Sequence, residues 1–187
     1  MSTYTASWPE HRVAISAESA DPRAAEQILR SVHPVSVDRN GCAATRSPMA
    51  VTGSGAANPI LPTGATSLSV CWYLGNRLGA SALLDTAATS RVIDAVDAAP
   101  PKWPAPVARP ALPGCDTVAD HDGVLLTARF PDGSTAQAIG TFAACNGQQT
   151  VGNGTGAVLA TKDLVSTIAD AAGLGHALAL DYPYTPS

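Results

Sequence analysis

Polar and apolar residues alternate along some stretches of the chain and recur every three or four residues along others. The switches between these two periods mark its elements. From His11 to Ala17, Val13 and Ile15 alternate with Arg12 and Ala14, which predicts a strand. Asp21-Pro22 then opens a helix, with Asp21 as N-cap and Pro22 at the first helical position. Ala25, Ile28, Leu29 and Val32 form its apolar face, and Pro34 ends it. Ser67 to Tyr73 reads as a short strand carrying Cys71. Asp85 caps a second helix running to about Ala98, with Val92, Ile93 and Val96 inward and Pro100-Pro101 as its stop. Val158-Leu159 reads as an edge strand. Thr161 caps a third helix bearing Leu164, Val165 and Ile168, with Gly173 at its end.

The strongest local signal is a hairpin over 124–142. Val124 to Phe130 and Thr135 to Phe142 are two strand patterns joined by Pro131-Asp132-Gly133-Ser134. Asp-Gly at the centre predicts a type I′ turn, with Leu126 opposite Ile139. The stretches between elements are of two kinds. Residues 43 to 66 are rich in Gly, Pro, Ser, Thr and Asn, and a loop of that length needs a clamp. Residues 99 to 114 hold six prolines. They read as a stiff polyproline connection, with a PxxP display to a partner as the other reading and Trp103 docked on the core.

Composition narrows the class. Hydrophobic residues make up 45% and charged residues only 14%, so the chain has material for a core and is not a highly charged disordered segment. Its net charge is −4 and it has no basic run, which argues against nucleic acid as a partner. No apolar stretch approaches the roughly 20 residues of a membrane span. Met1 to Thr5 lacks the charged and apolar regions of a signal peptide, so an exported chain is expected to have its signal or anchor outside these 187 residues.

The four cysteines, Cys42, Cys71, Cys115 and Cys145, have no zinc-type spacing. An even count suits two disulfides in an oxidising compartment. A Cys42–Cys71 bridge clamps the long loop, and a Cys115–Cys145 bridge closes the open end of the hairpin. The alternative is four separate buried thiols.

No motif for chemistry stands clear of a plainer reading. There is no GxSxG elbow; Thr52-Gly-Ser-Gly55 reads as flexible linker. His11, His33, His121 and His176 have no metal-ligand spacing. Asp120-His121-Asp122, with Asp116, reads as a solvated turn before the hairpin; the sharper reading is a cation or acid–base site. Gly147 to Gly156 lacks the lysine of a phosphate cradle, and Asn153-Gly-Thr155 is a formal glycosylation acceptor. No catalytic residue, metal ligand or cofactor is therefore nominated.

The order of parts resembles uncharacterised secreted four-cysteine proteins of high-GC Gram-positive bacteria. The residues that carry the likeness are Asn40-Gly41-Cys42, Val70-Cys71-Trp72-Tyr73, Phe130-Pro131-Asp132-Gly133 and Ala144-Cys145-Asn146-Gly147. The lead-in ending Ile28-Leu-Arg-Ser-Val-His33 is similar to the closing elements of an extracellular sensor or lipoprotein region. Cys115-Asp116-Thr117-Val118 is also similar to the reactive-loop region of secreted subtilisin inhibitors, which implies a scissile bond at Thr117–Val118. Asp116 replaces the proline common in that family, the chain is longer, and the first two cysteines are farther apart.

The fold expected is α+β: a small antiparallel sheet around the 124–142 hairpin, helices on one face, and two disulfides. The chain is expected to form one domain, with a lead-in over 1–38 and a disulfide-linked core over 40–175. The function expected is a non-enzymatic, extracytoplasmic binding or structural module for an unknown cell-envelope or protein partner. The alternatives are a serine-protease inhibitor and a hydrolase whose site is assembled from distant residues.

Overall fold

The computed structural model describes residues 2–8, 13–32, 35–46, 59–101, 123–141 and 149–174. The chain divides into two compact units, Met1–Val35 and Ser36–Ser187. The boundary falls just before the end of the 1–38 lead-in read from the sequence.

The first unit is a hairpin and a helix. Strand β1 (Ser2–Trp8) pairs antiparallel with β2 (Val13–Ser19) from Ser2 opposite Ser19 to Trp8 opposite Val13. Helix α1 (Pro22–Ser31) follows and packs back on both strands. Asp21 is its N-cap, accepting from the Arg23 amide at 2.9 Å, and Pro22 occupies the first turn, where its missing N–H goes unneeded. Ala25 is its buried residue, and Ile28 stays about half exposed at 53%.

The second unit is a six-stranded antiparallel sheet with two helices, which makes the protein α+β. The strands are β3 (Ser67–Leu74), β4 (Arg77–Leu84), β5 (Gly123–Arg129), β6 (Thr135–Thr141), β7 (Thr150–Gly152) and β8 (Ala157–Leu159), in the order β4-β3-β5-β6-β7-β8. Helix α2 (Thr86–Ala98) follows β4, and α3 (Lys162–Ala171) follows β8.

Registers place Trp72, Val124, Gly140 and Val151 in one row across the sheet, and Val70, Leu126 and Ala138 in the next. Apart from Gly140, which has no side chain, these residues join Val92, Ile93 and Val96 of α2 and Leu164, Val165 and Ile168 of α3 in one core. The helices thus cover the face defined by Leu68, Val70 and Trp72. Strand β3 is buried from Leu68 to Tyr73 without a break, because its other face is covered too.

Both helix starts follow the sequence signals. Asp85 accepts from the Ala88 amide at 2.8 Å, and Thr161 from that of Leu164 at 3.2 Å. Gly173 ends α3 in the left-handed region, and the Leu174 amide reaches back to the Ala169 carbonyl at 2.8 Å.

The hairpin is present but its turn differs from expectation. The Gly133 amide donates to the Phe130 carbonyl at 3.0 Å, and the Phe130 amide to the Ser134 carbonyl at 3.0 Å. The turn is therefore Phe130-Pro131-Asp132-Gly133, with Gly133 at φ 83° as the bulge residue, not a two-residue type I′ turn. Proline fixes φ near −65° and so takes the second turn position, which shifts the register by one. Leu126 faces Ala138, and Ile139 faces Leu125.

Candidate functional site

The distinctive construction of the second unit lies on the sheet face away from the helices. Ser69, Cys71 and Tyr73 alternate with the core residues of β3 and point to that face, where a strap over residues 36–46 covers them. The strap is a small hairpin. Val37 bridges Ala43, the Asp38 amide donates to the Cys42 carbonyl at 2.9 Å, and the Ala44 amide to the Ser36 carbonyl at 2.8 Å. Gly41 sits at φ 84°, a conformation glycine adopts without strain.

One covalent and several polar ties hold the strap. Cys42 and Cys71 form a disulfide with a Cα–Cα distance of 5.5 Å, and both residues are buried. Asp38 Oδ1 accepts from the amides of Asn40 at 2.9 Å and Cys42 at 2.8 Å, and its Oδ2 accepts from the Ser81 hydroxyl. Asn40 Nδ2 donates to Ser81 Oγ at 2.8 Å, and the Ser69 hydroxyl donates to the Asn40 carbonyl at 2.6 Å. Tyr73 donates its hydroxyl to the Ala43 carbonyl at 3.0 Å.

Farther along, the strap runs antiparallel beside the start of β4, with Thr45 bridging Arg77. The Leu78 amide donates to the Ala44 carbonyl at 3.0 Å, and the Arg46 amide to the Asn76 carbonyl at 2.9 Å. Arg46 Nε donates to the Gly75 carbonyl at 2.8 Å, and its guanidinium lies 5.2 Å from the centre of the Tyr73 ring.

The electrostatics follow from these contacts. Burial works to raise the Asp38 carboxyl, but hydrogen bonds from Ser81 and from the Cys42, Asn40 and Gly41 amides outweigh it and hold it below the usual carboxylate range. Burial pushes the Tyr73 phenol up; the Arg46 guanidinium opposes this, and the Asp38 charge adds to it. The hydroxyls of Ser69, Ser81 and Tyr73 are thus committed as structural donors. Among the described residues no three His, Cys, Asp or Glu side chains gather into a metal-type cluster. None of their helices is long and apolar enough to cross a membrane.

Of the residues singled out from the sequence, Cys42 and Cys71 are joined as expected. One disulfide is seen where two were expected: Cys115 and Cys145 lie outside the described residues, as do Thr117 and Val118. The four histidines, Asp116, Asp120 and Asp122, Trp103 and the segment 52–55 also lie outside them. Asn153 is described. Its Nδ2 donates to the Ile60 carbonyl at 3.0 Å, and its Oδ1 accepts from the Thr155 hydroxyl at 2.8 Å and the Gly156 amide at 3.0 Å. The amide that glycosylation would modify ties the β7–β8 turn to the 59–61 segment.

The polar strap contacts escaped the sequence reading. Their signals were Asp38 two residues before Asn40-Gly41, which favours an Asx turn, and the period-two spacing of Ser69, Cys71 and Tyr73. No protein-family model, curated protein or solved structure matches the chain.

Proposed function

We propose that the chain is a non-enzymatic, extracytoplasmic module that binds a cell-envelope component or a partner protein through its strapped sheet face. The observation that carries this reading is the covalent and polar locking of residues 36–46 onto β3 and β4. Interfaces gain affinity from segments whose ordering cost is met before binding, and the strap is such a segment. Asp38 of the strap and Ser69, Tyr73 and Ser81 of the strands beneath it serve this locking. A buried disulfide is compatible with an oxidising compartment.

We extend the proposal to a second bridge, Cys115–Cys145. Gly123 and Thr141 pair at the open end of the hairpin, so the flanking segments that carry these cysteines leave from one place. The direct test is co-sedimentation of the oxidised protein with an insoluble envelope fraction, with chemical analysis of the supernatant. Binding without release of soluble fragments is expected. Release of fragments supports the hydrolase alternative, and failure to sediment contradicts envelope binding.

A further inference from the structure

The strap turn presents two arginines to solvent. Arg39 lies within it, and Arg129, at the end of β5, lays its guanidinium against Gly41. A Cβ built at Gly41 would stand 2.9 Å from Arg129 Nη2, so the guanidinium lies directly against the turn backbone. Both arginines are exposed, and neither makes a side-chain hydrogen bond or ion pair among the described residues.

The one acid of the strap, Asp38, is turned inward onto Ser81 and the Asn40 and Cys42 amides, and the nearby Asp132 carboxylate is bonded to Ser134, so among the described residues neither arginine has a carboxylate partner. The strand residues on that sheet face include no Asp or Glu among those described, whereas Asp94, Asp97, Asp163 and Asp170 lie on the helices of the opposite side. Two exposed guanidinium groups thus lie at one turn of a chain whose net charge is −4. That turn is fixed by a disulfide two residues from Asn40.

From this geometry we infer, resting on the binding reading above, that Arg39 and Arg129 anchor a linear phosphate-bearing polymer of the cell envelope, not a nucleic acid, to the strap turn. Guanidinium forks match phosphate oxygens in two parallel bonds. A single exposed contact of this kind is weak in water, so free orthophosphate would not be held. A polymer that links several contacts converts weak ones into usable affinity, which selects the polymer as the ligand.

The test titrates the full oxidised chain with long-chain inorganic polyphosphate by isothermal calorimetry, at two salt concentrations. Saturable binding that weakens with salt is expected. Each of Arg39→Ala and Arg129→Ala should weaken it about two- to fivefold, and the double variant should lose it. Orthophosphate at equal phosphate concentration should give no saturation. Binding unchanged in the double variant, or no binding by the wild type, overturns the inference. Equally tight binding of polyglutamate overturns the choice of phosphate. Both substitutions are exposed, and an unchanged circular dichroism spectrum shows that folding is retained. A double variant that still sediments with envelope material refutes the anchoring role alone. A wild type that binds polyphosphate but not envelope material refutes the broader reading alone.

Discussion

Replacing Cys42 and Cys71 together by alanine tests the strap where it is tied most firmly. The bridge joins residues 29 apart in sequence. For a loop of that size the chain-entropy relation gives about 12 cal/mol/K, or roughly 3.6 kcal/mol at ~298 K. Both residues are buried, so the lost sulfur packing adds to this figure. The polar ties from Asp38, Asn40 and Tyr73 remain, so the strap should stay docked in the folded variant and be easier to release. Urea unfolding followed by far-UV circular dichroism measures the change. The variant should lose about 3–4 kcal/mol, with a denaturant slope equal to or somewhat above that of the wild type because its unfolded chain is less constrained. A loss below about 1 kcal/mol would mean that the bridge does not constrain the unfolded chain, because a chain freed of a 29-residue constraint must gain entropy.

Asp38→Asn should destabilise the second unit by about 1–3 kcal/mol at neutral pH, as it weakens charge-assisted bonds to Ser81, Asn40 and Cys42. Asp38 is held low in the folded state, so its contribution is present above the unfolded carboxyl range and is lost as pH falls through the folded value. The variant's acid limb should be correspondingly flatter in urea melts taken between about pH 2 and 6. Asp97 behaves oppositely: burial and the neighbouring Asp94 raise it, so ionisation costs stability as pH rises, and Asp97→Asn should unfold at slightly higher urea than wild type at pH 7 but not at pH 3. Gly133→Ala should cost about 1–2 kcal/mol through its φ of 83° alone, since open space surrounds the added methyl, and Gly133→Asn should cost less. Non-reducing peptide mapping should recover Cys42–Cys71 and Cys115–Cys145; a Cys71–Cys115 peptide would contradict both pairings.

The elements legible in the sequence are those whose signals are local. Asp21, Asp85 and Thr161 each cap a helix where the pattern put one, because a side-chain acceptor before an apolar stripe is sufficient cause. The Cys42–Cys71 bridge was legible from spacing. Strand β4 was not, because Arg77-Leu-Gly-Ala-Ser-Ala-Leu-Leu84 has few residues that favour strands, and its conformation is imposed by pairing with β3. Strand β7 was hidden in the glycine-rich run 147–156, where Val151 gains its place only by packing in the row with Trp72 and Val124. The strap contacts join residues about 30 to 40 apart, such as Asn40 with Ser81, and no local signal encodes such partners.

The proposed role of the strapped sheet face in binding can be seen residue by residue. Amide hydrogen exchange of the oxidised chain, measured by mass spectrometry with and without envelope material, reports which surface is covered. Binding through this face should add protection over residues 36–46 and in β3 and β4, with α2 and α3 unchanged. Protection confined to α2 and α3, with the strap exchanging as in the free protein, would contradict it.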